Sequence, residues 1–146
     1  MTWRGAIGRA STTLRARADV YTHGHHRSVV EQHAKRTVES CAAFLTASGA
    51  LAGGAARLLD VGCGPGSITV GFAPLCGLVV GIDASEAVLE TARETALQKV
   101  PDANNLSFQK ASVYELPFED DSFDVAYAHQ VLQHLADPVA AAREMK

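Results

Sequence analysis

Apolar residues follow two rhythms along this chain. From Arg27 to about Ala47 they recur at Val29, Val30, His33/Ala34, Val38, Cys41/Ala42 and Leu45. Steps of three and four place one helical face on a core, with Glu31, Lys35 and Glu39 on the wet side. Three glycines between Ser48 and Gly54 break that pattern. A short apolar run at Arg57–Val61 then reads as a strand and stops at Gly62-Cys63-Gly64-Pro65-Gly66. A helix from about Ser67 to Leu75 follows, with Pro74 ending it. The next strand is Leu78-Val79-Val80-Gly81-Ile82, ending on Asp83. Ser85 caps an amphipathic helix through about Lys99, with Ala87, Val88, Thr91, Ala92 and Thr95 near one face. After a loop from Pro101 to Asn105, Leu106–Gln109 alternates as a third strand. The acidic loop Glu119-Asp120-Asp121-Ser122 precedes a fourth strand, Phe123–Ala128. The chain closes in helical sequence, Val131–Leu135 and then Asp137 capping a helix that opens on Pro138.

Short apolar strands alternating with helices predict an α/β fold, a doubly wound parallel sheet covered on both faces. Right-handed crossovers give the strand order 3-2-1-4, with the topological switch between strands 1 and 4. Ligands of such sheets bind at the carboxyl ends of the strands beside that point.

Composition adds limits more than identity. With 146 residues, 47% of them hydrophobic and 20% charged, the chain has ordinary globular usage. No apolar run approaches the ~18–20 residues of a membrane-spanning helix. The net charge of −3 is too mild to imply nucleic acid. Its distribution says more. Residues 1–36 hold seven basic and two acidic side chains, a net of +5, which leaves −8 for the remainder. The first eighteen residues carry four arginines and no acid, a composition shared by a frayed tail and an organelle transit peptide. Three cysteines, Cys41, Cys63 and Cys76, contain no C-x-x-C pair and fit a reducing cytosol. His23, His25, His26 and His33 cluster without the cysteine or carboxylate spacing of a zinc site.

The chemistry gathers at the strand ends. Gly62, Gly64 and Gly66 sit where the first strand turns into a helix, so backbone N–H groups can approach a ligand with no Cβ in the way. A dinucleotide fingerprint, G-x-G-x-x-G, would place its third glycine at position 67, which is Ser67; the pattern here is G-x-G-x-G. Asp83, at the end of the second strand, is placed to accept the hydroxyls of a nucleoside ribose. Capping of the next helix is its structural alternative.

These residues resemble a known family. Leu58-Leu59-Asp60-Val61-Gly62-Cys63-Gly64-Pro65-Gly66 is similar to motif I of class I S-adenosylmethionine-dependent methyltransferases, and Gly81-Ile82-Asp83-Ala84-Ser85 to their acidic second motif. Glu115-Leu116-Pro117-Phe118 with Asp121-Ser122-Phe123-Asp124-Val125 resembles the small-molecule subgroup typified by quinone-biosynthesis methyltransferases. Tyr21 through Glu39 resembles the leader helix of a narrower branch. The resemblance implies S-adenosyl-L-methionine as cofactor and a small-molecule methyl acceptor, with no nucleic acid or membrane partner and a cytoplasmic setting.

It also implies roles. The backbone of Gly62, Cys63, Gly64, Pro65 and Gly66 faces the methionine part of the cofactor, and Asp60 orients that loop. Asp83 binds the ribose, and Ile82 or Ala84 flanks the adenine. Where many relatives carry an aspartate for the adenine amino group this chain has Ser112, so Ser112 and Val113 meet the base through backbone or hydroxyl. His129 and Gln130 approach the sulfonium and the acceptor, with His129 the candidate catalytic base and His134 structural. Tyr21 and His25 form a lid.

On this reading residues 1–20 are a flexible basic tail, 21–56 a lid helix and linker, and 57–146 the cofactor-binding half of a methyltransferase domain. The family's strands 5–7 are not in the chain, which ends inside helical sequence at Lys146. The expectation is a C-terminally truncated domain whose exposed fourth strand is open to self-association. A catalytically silent cofactor-binding fragment is the main alternative, ahead of an NAD-dependent oxidoreductase.

Overall fold

The computed structural model describes residues 35–146. The predicted leader helix lies partly outside them, as do Tyr21 and His25. Its described part is not continuous: α1 spans Val38–Cys41 and α2 spans Ala43–Ala47. Thr37 is extended and starts α1 with a capping box, its hydroxyl accepting the Ser40 N–H while the Ser40 hydroxyl oxygen accepts the Thr37 N–H. Ala42, fully buried with φ −128° and ψ 19°, then breaks the path between the two helices.

Four strands follow, β1 (Arg57–Val61), β2 (Leu78–Asp83), β3 (Leu106–Lys110) and β4 (Val125–Ala128). All pairs are parallel and the order is β3-β2-β1-β4, as the alternation of strands and helices predicts. Between β1 and β2 lies α3 (Thr69–Phe72), whose last turn tightens into a 3-10 segment, Ala73–Leu75, containing Pro74. Proline lacks the N–H that a continuing α-helix needs. Between β2 and β3 lies α4 (Glu86–Lys99). Its buried residues are Leu89 and Ala92, whereas Ala87, expected on the inner face, is exposed.

The fourth strand begins two residues later than its pattern suggests. Asp124 spends its backbone N–H on the Arg57 carbonyl and its carboxylate on the Arg57 N–H and guanidinium. Beyond β4 the expected helix at 131–135 is only a 3-10 turn, Leu132–His134. The closing helix α5 (Pro138–Glu144) does carry its expected cap, the Asp137 carboxylate accepting the Ala140 N–H at 2.9 Å.

Strand alternation divides the core in two. Leu58, Val79 and Tyr127 face α1, α2 and α3, packing with Val38, Leu45 and Phe72. Leu59, Val61, Val80 and Ile82 face the other way, under Phe118, Phe123 and Met145. At roughly 1.5–3 kcal/mol per fully buried large apolar side chain, each cluster anchors the sheet from its own side. Among the described residues no helix is long and apolar enough to cross a membrane.

Candidate functional site

At the carboxyl end of β1 the chain passes through Gly62, Gly64 and Gly66, all with positive φ (69°, 56° and 75°). Two of these glycines do different work. A Cβ on Gly62 would lie 2.5 Å from Val131 Cγ2, so its absence lets the segment after β4 close on the loop. A Cβ on Gly64 would meet nothing within 4 Å, so this side of the loop is open for a ligand to approach the backbone. Pro65 is buried, and Cys63 turns its thiol inward, where burial, and then the charges of Asp60 and Asp83, push its pKa up. That thiol is therefore structural and unreactive.

Two carboxylates border the loop. Asp83, the last residue of β2, accepts the Gly64 N–H through Oδ2 at 3.2 Å and the Ser85 N–H through Oδ1 at 2.9 Å. Ser85 occupies the N-cap position of α4 but its own side chain makes no capping bond. The expectation that the Ser85 side chain caps α4 is therefore corrected, and Asp83 is engaged with the backbone of Ser85 and of the glycine loop. Each of its oxygens keeps lone-pair capacity for a further donor such as a ribose hydroxyl.

Asp60 is the second carboxylate and lies in a different environment. Register aligns Phe108, Gly81, Asp60 and Tyr127 in one row across the sheet, on the face covered by helices. Asp60 is 3% exposed, and among the described residues its carboxylate meets one donor, the Thr69 hydroxyl at 2.7 Å. Thr69 is itself fully buried in the first turn of α3. Desolvation pushes the Asp60 carboxyl up to about 7, against the Thr69 hydrogen bond, with the Asp83 charge adding to the rise. Asp60 thus ties the strand before the glycine loop to the helix after it. Nothing in the sequence pattern singled out Thr69; its signal is a hydroxyl nine positions on, in the first turn of the following helix.

The remaining residues approach from β3 and β4. The Ala111 N–H donates to the Asp83 carbonyl, which carries the chain past the end of β2 into Ser112. The exposed Ser112 hydroxyl accepts the Tyr114 N–H, and Val113 packs into the core with Leu59 and Ile82. Ile82 is 1% exposed, so of the two residues expected beside an adenine ring only Ala84, which is exposed, is free to meet one. Glu144 and Tyr114 pin this segment: a Glu144 oxygen accepts the Leu116 N–H, and the Tyr114 hydroxyl oxygen accepts the Asp137 N–H. Neither contact was foreseen.

Pairing of Ala128 with Val61 sets His129 level with Gly62. His129 is half-buried and stacks on Tyr127, with ring centroids 6.4 Å apart and planes 8° apart. Burial, and then the Arg36 charge, lower its pKa and favour the neutral imidazole. The Tyr127 hydroxyl donates to the Cys41 carbonyl, and its pKa is pushed up to about 12, chiefly by burial. Gln130 has a left-handed φ of 59° and holds Gln133 through its amide oxygen. Such a conformation in a non-glycine residue is uncommon and stores strain beside the glycine loop. Among the described residues no cluster of His, Cys, Asp and Glu could hold a metal ion.

A parallel sheet with its open glycine loop at a switch point defines the class of a doubly wound α/β domain. Comparison with known proteins makes this specific. The methyltransferase domain family matches residues 59–146, and the chain belongs to that family. An uncharacterized methyltransferase of Schizosaccharomyces pombe is 42% identical over 132 residues, 86% of this chain and 46% of the relative. The solved YcgJ protein of Bacillus subtilis, 33% identical, superposes with a TM-score of 0.62 over 69% of this chain and 42% of its own. The [4+2]-cyclase SpnF, 28% identical, gives 0.59 over 81% and 39%. The chain thus spans less than half the length of each of these proteins.

Proposed function

We propose that this chain binds S-adenosyl-L-methionine at the glycine loop and serves methyl transfer to a small-molecule acceptor. The observation that carries the reading is the pair of carboxylates around a loop whose middle glycine is open. Among the described residues neither Asp60 nor Asp83 has an ion-pair partner. A cation-bearing nucleoside is attracted by that arrangement, whereas a pyrophosphate is repelled by it. The Gly64 N–H, which a phosphate would need, already serves Asp83. Ser67, where a dinucleotide loop needs its third glycine, is buried.

The residues fit the cofactor in order. Asp83 holds the ribose, Ala84 and the Ser112 backbone border the adenine, and the open face of Gly64 admits the methionyl portion. When bound, the cofactor supplies a methyl group whose bond to the sulfonium sulfur breaks as the acceptor's bond to that carbon forms, leaving a neutral thioether. Alignment provides most of the rate gain in such a transfer. His129, kept neutral by its surroundings, is the residue to accept a proton from a protic acceptor. With its three cysteines free, the chain suits the reducing cytosol.

Calorimetric titration with S-adenosylhomocysteine and, separately, NAD tests the reading. It expects binding of the first and none of the second; NAD binding alone would overturn it. The likeness to a [4+2]-cyclase shows that this fold is not tied to methyl transfer by name. It favours a second reading, a domain that binds the cofactor without transferring its methyl group. Release of S-adenosylhomocysteine in the presence of phenolic and quinol acceptors separates the two.

A further inference from the structure

Asp60 is a buried carboxylate with one hydroxyl for company and a second carboxylate nearby. Such a group is costly to ionise until a positive charge arrives. The element order puts it at the root of the loop that, on the reading above, receives a sulfonium cofactor. We propose that Asp60 is a proton-linked counter-charge, neutral while the site is empty and ionised when a cationic cofactor seats against Gly62–Gly66. Seating the cation therefore releases a proton. The thioether left after methyl transfer keeps the α-ammonium of its methionyl portion but carries one positive charge less, so it holds Asp60 in the ionised form less strongly. The site thereby favours the sulfonium over its product increasingly as pH rises.

The groups facing Asp60 from each neighbouring element are consistent with this. From α3 comes the Thr69 hydroxyl, from the loop the inward Cys63 thiol, and from β4 the Tyr127 ring. From β2 come Gly81, which has no side chain, and Asp83 at the strand end. None of these is a cation. Lys110 is the register partner of Asp83 and is exposed, and Arg93 is paired with Glu86 at 2.8 Å. The raised pKa of Asp60 agrees with the geometry. His129, with Arg36 beside it, is the other titrating group near the strand ends and must be separated from it.

The test is calorimetry on the whole chain with S-adenosyl-L-methionine and S-adenosylhomocysteine, in buffers of low and high ionisation enthalpy. Affinity for the sulfonium should rise roughly tenfold between about pH 5.5 and about pH 7, with proton release, while affinity for the thioether rises less and releases fewer protons. Asp60→Asn should remove the slope, and His129→Gln should keep it. Thr69→Val, which takes away the single donor, should move the midpoint upward, and Thr69→Ser should restore it. The wild-type proton count stands even if a variant fails to fold. Equal slopes for both ligands, no proton release, or a slope lost in His129→Gln but kept in Asp60→Asn would overturn the proposal and leave the cofactor reading intact. Absence of binding by either ligand at every pH would overturn both.

Discussion

The two ends of the same sheet treat a carboxylate in opposite ways. At the amino end, Asp124 lies on the Arg57 backbone N–H and guanidinium and is pulled down to about 2, chiefly by those hydrogen bonds. At the carboxyl end, Asp60 is on the same strand as Arg57, three residues on, yet burial pushes it up to about 7. One end satisfies its charges internally and joins β1 to β4. The other leaves the buried Asp60 carboxyl without a counter-charge beside an open loop. An end built only for stability would look like the first, and the second has the features expected of a ligand site.

The comparison breaks most visibly at the glycines. Gly62→Ala should destabilise the fold by on the order of 2–4 kcal/mol, since it adds a clash with Val131 to a left-handed backbone. Gly64→Ala shares the positive φ but meets open space, so it should cost only about 1–2 kcal/mol in urea unfolding while abolishing cofactor binding. Similar unfolding penalties would show that the loop is not packed on one side and open on the other. Next in size, Asp83→Ala should weaken cofactor binding by on the order of 1–3 kcal/mol through lost charge-assisted hydrogen bonds. Unchanged affinity would confine Asp83 to holding the backbone of Gly64 and Ser85.

Smaller effects appear on titration of the ligand-free protein. Asp60 is raised in the folded state, so its contribution to stability is full below about pH 4 and is lost as pH rises through about 7. Asp124 is depressed, so its contribution is present above its unfolded pKa of about 4 and is lost as pH falls through about 2. Melting temperatures across this range should decline at both extremes. Asp60→Asn should flatten the alkaline side only, and Asp124→Asn the acid side only. The smallest expected change is from Arg57→Ala, because this pair is about half exposed and solvent screens it. Cofactor affinity should not move in that variant.

How much of this was legible before the structure differs by element. The starts and stops of β1 and β2 follow from apolar runs bounded by glycine and aspartate, and the loop and Asp83 stand out by spacing alone. The start of β4 does not, because Asp124 answers to Arg57, 67 positions away in sequence. The inner face of α4 is turned toward Leu89, fully buried, and away from the exposed Ala87, a rotation that the spacing of small residues does not reveal. The apolar rhythm of the leader runs through two local features it does not reveal, the capping box at Thr37 and the non-helical backbone at Ala42. In the site, Thr69 and Val131 were missed because each acts through a contact made only when the sheet is assembled.

The most direct test of the difference between the two ends is a nitrogen-15 amide spectrum recorded with and without S-adenosyl-L-methionine. The largest shifts should fall on Gly62, Gly64, Gly66, Asp83–Ser85, Ser112 and His129, with Arg57, Asn105 and Asp124 unmoved. Shifts centred on Arg57 and Asp124, or none at saturating cofactor, would contradict the assignment of the glycine-loop end as the functional one.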